Sequence, residues 1–462
     1  MKNYRQFFVV LILVLLSESL LLGGCMSSIA EVKSTPDDVY FGIDVGYEVD
    51  VQAAKAAIDQ VCNFTNFFVL GNYKLCREIT GLNETLQYAY DKGMYFMSYP
   101  PTLGFDPELI DASKVWLSYA KDNWGDHLAG FLYPWEDEPG GHQLDRTVSY
   151  YPVVDMNATD YADAESQFLN SSWFRDLNNV KEILDHPFFT SDYALYWFDY
   201  KGGYDGLFAE FGWNYSAQLN AAFCRGAATA MNRQWGAIIT FTYTGAPYME
   251  SASALYKDLM YAYDNGAKYI VVLNTNANWT AGCLTEKHFQ AMKDFWAYIQ
   301  NNPRKSYPLA QRVAYELPES YAYGFRGPLD KIWGVWEANM TSFLISESVG
   351  LMLQKYGSKL DIIYEDLTLP NRTLGYSKII RWDDYEAVAN EWPWFTPLPE
   401  LLDESSPDPA NSLSPQASST QTPDVGGPVV KLEYLMLVAI GASLTGFAAA
   451  IFVYERKWFR KP

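Results

Sequence analysis

Short apolar runs recur along the first two-thirds of the chain, each followed by a longer stretch with helical spacing. The runs are Val39–Asp44, Phe67–Leu70, Tyr95–Tyr99, Ala129–Tyr133, Phe188–Ser191, Leu207–Phe211, Ala237–Tyr243 and Ala267–Leu273. They are rich in β-branched and aromatic residues and do not alternate with polar ones, the pattern of parallel strands buried on both faces. Between them, Val51–Val61 repeats apolar residues at helical spacing. Asp106-Pro107-Glu108 opens a helix with a cap, a first-turn proline and an acid. Further helices are predicted at Asp160–Asn178, Ser216–Arg233, Ala252–Asn265 and Thr285–Gln300. Lys92-Gly93 and Asn265-Gly266 mark helix ends just ahead of strands. Eight such repeats over residues 38–302 predict a (β/α)8 TIM barrel. An open doubly wound α/β sheet is the alternative reading of the same alternation.

After Pro303 the pattern restarts. Arg312–Leu317, Leu360–Tyr364 and Ser377–Trp382 read as strands and Met340–Tyr356 as a helix, predicting a small three-layer α/β domain over 309–398. No G-x-G-x-x-G follows its first strand, so nothing points to nucleotide binding. The ends of the chain follow a different logic. Residues 1–25 carry Lys2 and Arg5, a short apolar core and small residues, as a secretory signal peptide does. Leu22-Gly23-Gly24-Cys25 also reads as a lipobox with Cys25 as the lipidated residue. Residues 403–428 are rich in Ser, Pro and Thr, with too little apolar surface to fold, and read as an extended stalk. Residues 435–454 are uncharged and long enough to span a bilayer as one transmembrane helix. Arg456, Lys457, Arg460 and Lys461 in the 455–462 tail assign that end to the cytoplasm, which puts the N-terminal body outside the cell membrane.

Composition narrows the partners. A formal charge of −21 argues against nucleic acid and other polyanions. Aromatic residues make up 16 % of the chain, including 35 Tyr and 15 Trp. Some of these rings can serve as platforms for the C–H faces of sugars. Eight Asn-x-Ser/Thr sequons, at Asn63, Asn83, Asn157, Asn170, Asn214, Asn278, Asn339 and Asn371, all fall on the side read as external, as expected of a glycoprotein. Besides Cys25 there are Cys62, Cys76, Cys224 and Cys283, which allow three pairings. His127, His142, His186 and His288 lack metal-ligand spacing, so no metal site is expected.

In a barrel the chemistry belongs at the C-terminal ends of the strands. The fourth run leads into Tyr133-Pro134-Trp135-Glu136-Asp137-Glu138-Pro139-Gly140-Gly141. Crowded carboxylates raise one another's pKa, which favours keeping one protonated as a general acid. The sixth run ends in Phe208-Ala209-Glu210-Phe211-Gly212-Trp213-Asn214, where Glu210 is a lone acid among aromatic residues and needs a partner or a function. The seventh leads to Tyr243 and then to Glu250, which can either act in the site or cap the next helix. Asp44 ends the first run, and Asp192 and Asp199 flank Tyr196-Trp197 after the fifth.

Tyr133–Gly141, with Asp137-Glu138-Pro139, resembles the Asn-Glu-Pro motif of retaining TIM-barrel glycoside hydrolases. The resemblance implies that Glu138 is the acid/base, with Asp137 where the family has Asn. It also implies a nucleophilic Glu at the end of strand seven, which leaves Glu250 or Glu210 for that role. A barrel followed by a small amidotransferase-like domain is similar to the family 42 β-galactosidases. The Asp-Glu-Pro-Gly-Gly and Phe-Ala-Glu-Phe-Gly-Trp-Asn segments resemble those of archaeal surface proteins with no known activity. The expectation is a membrane-anchored extracellular glycoside hydrolase acting on polysaccharide, with Glu138, Glu210 and Glu250 as catalytic candidates. Asp44, Trp135, Asp137, Asp192, Trp197, Trp213 and Tyr243 are the sugar-contact candidates. No metal or cofactor is implied. The alternative is a non-catalytic glycan-binding or envelope protein on the same scaffold. In a hydrolase, carboxyl groups about 5–5.5 Å apart imply retention and about 6.5–9.5 Å inversion.

Overall fold

Eight short strands, each followed in sequence by helix, can have both faces covered either in a closed barrel or in an open doubly wound sheet. The computed structural model describes residues 39–101, 107–132, 138–146, 154–213, 215–327 and 329–384. In it β1 (Tyr40–Asp44), β2 (Phe67–Leu70), β3 (Tyr95–Ser98), β4 (Leu128–Leu132), β5 (Phe188–Asp192), β6 (Gly206–Phe211), β7 (Gln234–Ile239) and β8 (Tyr269–Leu273) close into a barrel. Every neighbouring pair is parallel, and β1 pairs with β8. The doubly wound alternative is therefore excluded. Phe67, Val69, Met97, Phe189, Phe208, Tyr269 and Val271 fill the lumen as a buried cluster. The opposite faces of the strands, with Phe41, Ile43, Phe96 and Leu207, pack into the larger core under the helices.

The outer ring includes α1 (Val51–Val61), α2 (Ile79–Asp91) and α3 (Pro107–Trp124). Asp50 caps α1 by accepting from Ala53 N at 2.8 Å. The long β4–β5 connection holds α4 (Pro139–Asp145), α5 (Tyr161–Leu169) and α6 (Ser172–Leu184). The single helix predicted at Asp160–Asn178 is two, because Ser171 starts a new helix by capping Phe174 N. The ring continues with α7 (Tyr196–Gly202), α8 (Ala217–Ala230), α9 (Ala252–Asp264) and α10 (Glu286–Asn301). Strand seven runs earlier than the predicted Ala237–Tyr243. Past Ile239 the chain folds back, and the amides of Thr242 and Tyr243 both donate to Tyr248 O, at 2.8 and 2.9 Å. Tyr243 is exposed in that turn.

The C-terminal unit has β9 (Val313–Leu317), β10 (Leu360–Tyr364) and β11 (Lys378–Arg381) in a parallel sheet ordered β10-β9-β11. α11 (Met340–Tyr356) packs on it. The expected three-layer domain borrows from the barrel, since β10 packs against α8. The approach is close: a Cβ at Gly226 of α8 would lie 2.2 Å from Ile362 O. Barrel and sheet belong to one compact unit. Asp361 sits between them. It accepts from Arg225 Nε at 2.6 Å, Arg312 Nη1 at 2.7 Å and Tyr376 Oη at 2.8 Å. Cys76 and Cys224 are buried free thiols.

No helix among the described residues is long and apolar enough to cross a membrane. The predicted signal, stalk, transmembrane helix and tail lie outside the described residues, as do Trp135, Asp137 and the sequon at Asn214. Asn63, Asn157, Asn170, Asn278 and Asn371 are exposed. Asn83 accepts from Trp116 Nε1 at 2.7 Å and Asn339 caps α11, so both amides are engaged in the fold.

Candidate active site

A cavity of about 350 Å³ opens at the C-terminal mouth of the barrel. Its floor is the top of the lumen core, Val69, Phe189, Phe208 and Val271. Asp44, Glu138, Ser191, Glu210, Thr240 and Trp279 stand on its walls. Two predicted acids, Glu138 beyond β4 and Glu210 on β6, thus share one space.

Their placement follows from the local chain. Glu210 falls near the end of β6 and is only 3 % exposed. Its Oε1 accepts from Ser191 Oγ at 2.8 Å. Ser191, near the end of β5, also accepts at its carbonyl from Glu138 N at 2.7 Å. One residue therefore ties both acids. Glu138 is the N-cap of α4, yet its own side chain makes no capping bond. Its backbone is left-handed, φ 60°. Its carboxyl stays partly open, with His142 Nε2 3.5 Å from Oε2. Trp213 (φ 50°) and Trp279 (φ 57°), which also line the cavity, share that sparsely populated conformation. Non-glycine residues held this way cost about 1–3 kcal/mol each and cluster at functional sites.

The aromatic rim is an arc over β6, β7 and β8. Trp213 packs against Phe241 at 5.7 Å between ring centres, and Phe241 against Trp279 at 6.4 Å. Trp279 is 52 % exposed. Next to this arc, Asp44 stands at the end of β1, which pairs with β8. A Cβ at Gly71 would come within 2.7 Å of its Oδ1, so glycine leaves that carboxylate room.

Four candidates sit elsewhere. Glu250 is not among the cavity-lining residues. It precedes Ser251, the cap of α9, and its carbonyl accepts from His288 Nε2 at 2.8 Å. Burial, and then the charge of Asp258, pushes its carboxyl up to about 7. Asp192 is fully buried, its oxygens taken by the amides of Gly140 at 2.6 Å, Gly141 at 3.0 Å and Ala194 at 2.8 Å. Trp197 is buried against Tyr364 of the C-terminal sheet, at 5.7 Å. Tyr243 lies in the folded-back turn and is not part of the lining. Sequence reasoning missed Ser191, Phe241 and Trp279. Their positions just at or beyond the ends of strands five, seven and eight were the available signal.

The solved structures similar to this chain include TIM-barrel glycoside hydrolases. GH5_18 from Streptomyces cattleya, in complex with GlcNAc, is 12% identical, with 75% of this chain and 99% of that one covered and a TM-score of 0.47. A polyextremophilic β-galactosidase from the Antarctic haloarchaeon Halorubrum lacusprofundi is 9% identical over 76% of this chain and 70% of that one, with a TM-score of 0.48. An endo-β-1,4-mannanase from Thermotoga petrophila is 9% identical over 63% and 83%, with a TM-score of 0.36. No family model and no curated protein matches the chain. What this chain can do chemically is set by its own cavity: two carboxyl groups, a hydroxyl donating to one of them, a further carboxylate and an aromatic rim. Among the described residues no group of three or more His, Cys, Asp or Glu could hold a metal ion.

Proposed function

We propose that the chain is a glycoside hydrolase acting on extracellular or cell-envelope polysaccharide, its body tethered outside the membrane by residues 435–454. One observation carries the catalytic part: Glu138 and Glu210 line a single cavity and are bridged by Ser191. Glu138 would give its proton to the leaving glycosidic oxygen as the bond from that oxygen to the anomeric carbon breaks. Glu210 would either bond to the anomeric carbon or take the proton of the water that does. Asp44 would accept from sugar hydroxyls, and Trp213 and Trp279 would cover the apolar faces of the rings. The cavity lies at the small end of ligand sites, about 300–1,000 Å³, which suits a few sugar units with the remaining polymer in solvent. The N-terminal basic-apolar segment and the charge-flanked 435–454 stretch support export and tethering.

A second reading, glycan binding without hydrolysis, draws on the end of β7. There Thr240 lines the cavity where the resembled family has its acid. One experiment separates the two. The ectodomain is screened against a glycan panel beside Glu138→Gln and Glu210→Gln. Hydrolysis by the wild type, with kcat down at least about 1,000-fold in either variant and binding kept, supports the enzyme. Binding without turnover in all three supports the second reading. Equal turnover by wild type and Glu138→Gln removes Glu138 from the mechanism.

A further inference from the structure

The chain needs something other than Glu138 to start α4. A helix leaves its first amides unpaired, and an N-cap side chain normally takes those of the second and third positions. In α4 the first position is Pro139, which has no N–H, and the next two are Gly140 and Gly141. Glu138 occupies the cap position and does not take them. Asp192 does, from the end of β5, with Oδ2 on Gly140 N and Oδ1 on Gly141 N. The two glycines permit this contact. A Cβ at Gly140 would fall 2.4 Å from Leu195 Cβ, and one at Gly141 would fall 2.2 Å from the Tyr193 ring.

Behind Asp192 lies Asp199 of α7, equally buried. Neither carboxyl oxygen of Asp199 meets an N–H or O–H donor. Its neighbour is the Asp192 carboxyl, and two acceptors can bond only through a proton on one of them. Burial, then the Asp192 charge, raises Asp199 well above the carboxylate range. Burial also raises Asp192, to about 6, against the bonds it accepts. Three backbone amides on Asp192 favour its charged form, and two adjoining carboxyls away from water favour a proton between them, which falls to Asp199. Tyr193, Tyr196 and Cys224 are the phenols and thiol that feel the pair's charge, and Glu138 and Glu210 face Tyr193 and Tyr196 in turn. The three phenol and thiol groups among them are raised by burial and neutral.

We propose that Asp192 and Asp199 are the positioning pair for Glu138: Asp192 caps α4 in place of the acid, and Asp199 holds Asp192 in register through a shared proton. With Asp192 on those amides, the Glu138 side chain lines the cavity. The proposal rests on the reading of Glu138 as the acid/base, and its test includes a measurement that does not depend on catalysis.

The variants are Asp192→Asn, Asp199→Asn and Asp199→Ala. Asparagine at 192 replaces one acceptor oxygen by an amide that opposes a backbone N–H. Asparagine at 199 keeps a donor toward Asp192, and alanine removes it. On a glycan that the wild type cleaves, Asp192→Asn and Asp199→Ala are expected to lose on the order of 100-fold in kcat with KM within about twofold, and Asp199→Asn to stay within about threefold of wild type. A lower melting temperature with kcat unchanged in all three would reduce the pair to a structural role and overturn the proposal. Hydrogen exchange at the Gly140 and Gly141 amides gives the catalysis-independent result. It is expected to be slow in wild type and Asp199→Asn and faster in Asp192→Asn and Asp199→Ala. Equal protection in every variant would overturn the proposal even if no glycan is cleaved, whereas the expected exchange pattern without any turnover would defeat only the hydrolase reading. Should Asp192→Asn fail to fold, the contrast between the two Asp199 variants decides.

Discussion

Glu138, Trp213 and Trp279 all carry full side chains on left-handed backbone around one cavity. The sequence has no marker for that conformation, and for this reason Trp279 was invisible while Trp213 was found through its neighbour Glu210. The exposed Trp279 ring has little to do with stability, so Trp279→Ala should act on substrate binding. We expect KM to rise about tenfold with kcat within about twofold, read from initial rates on an oligosaccharide. Glu250 makes the opposite prediction. Its folded pKa, about 7, lies above the ordinary 4.5 of an unfolded glutamate. The folded protein thus binds the proton more tightly, and the stability this contributes is present below about pH 4.5 and lost as the pH rises to 7. Glu250→Gln removes that loss. Its melting temperature should exceed that of the wild type at pH 8, by an amount worth roughly 1 kcal/mol after allowance for its partial exposure, and match it at pH 4.5. Turnover should be unchanged, since Glu250 stands off the cavity. An inactive Glu250→Gln would return it to the mechanism.

α4 is the element that joins the acid to the rest of the molecule. Its first turn is held by Asp192, and its last by the C-terminal unit. Gln143 Nε2 donates to Trp333 O at 2.6 Å, and Arg326 pairs with Asp145. Gly334, at φ 66°, lies so close that a Cβ there would be 2.6 Å from Gln143 O. Gly334→Ala is expected to cost on the order of 1–3 kcal/mol in stability and to lower kcat more than it raises KM, measured by thermal melting and steady-state rates. Elements of this kind were only partly legible. All eight barrel strands could be read because a strand buried on both faces is a run of mostly apolar residues with little polar alternation. Strand seven was misplaced because Phe241 and Tyr243 continue the apolar run into a turn. The helix at Asp160–Asn178 hid its break because Ser171 looks the same inside a helix as at a cap. Glu138 and Glu210 could be picked out as acids in aromatic surroundings. Ser191, which unites them, could not, since a serine at a strand end is common and only the barrel's closure brings its two partners together.

At the scale of the whole molecule, the sheet of β9, β10 and β11 is fastened to the barrel by a buried charge. Asp361 answers both Arg225 and Arg312, and all three side chains are largely or wholly withdrawn from water. Asp361→Asn leaves two guanidinium groups facing a neutral amide. A cost of about 3–5 kcal/mol is expected, with barrel and sheet melting in one transition; two separate transitions would show that they fold apart. The same attachment bears on how the protein is prepared for study. A worker who shortens the chain at residue 302, on the view that a closed barrel is sufficient, discards Trp333, Gly334 and Arg326 and leaves the acid on an arm held at one end only. Such a fragment can be soluble, carry every wall of the cleft and still be inert, and its inertness would say nothing about the intact protein.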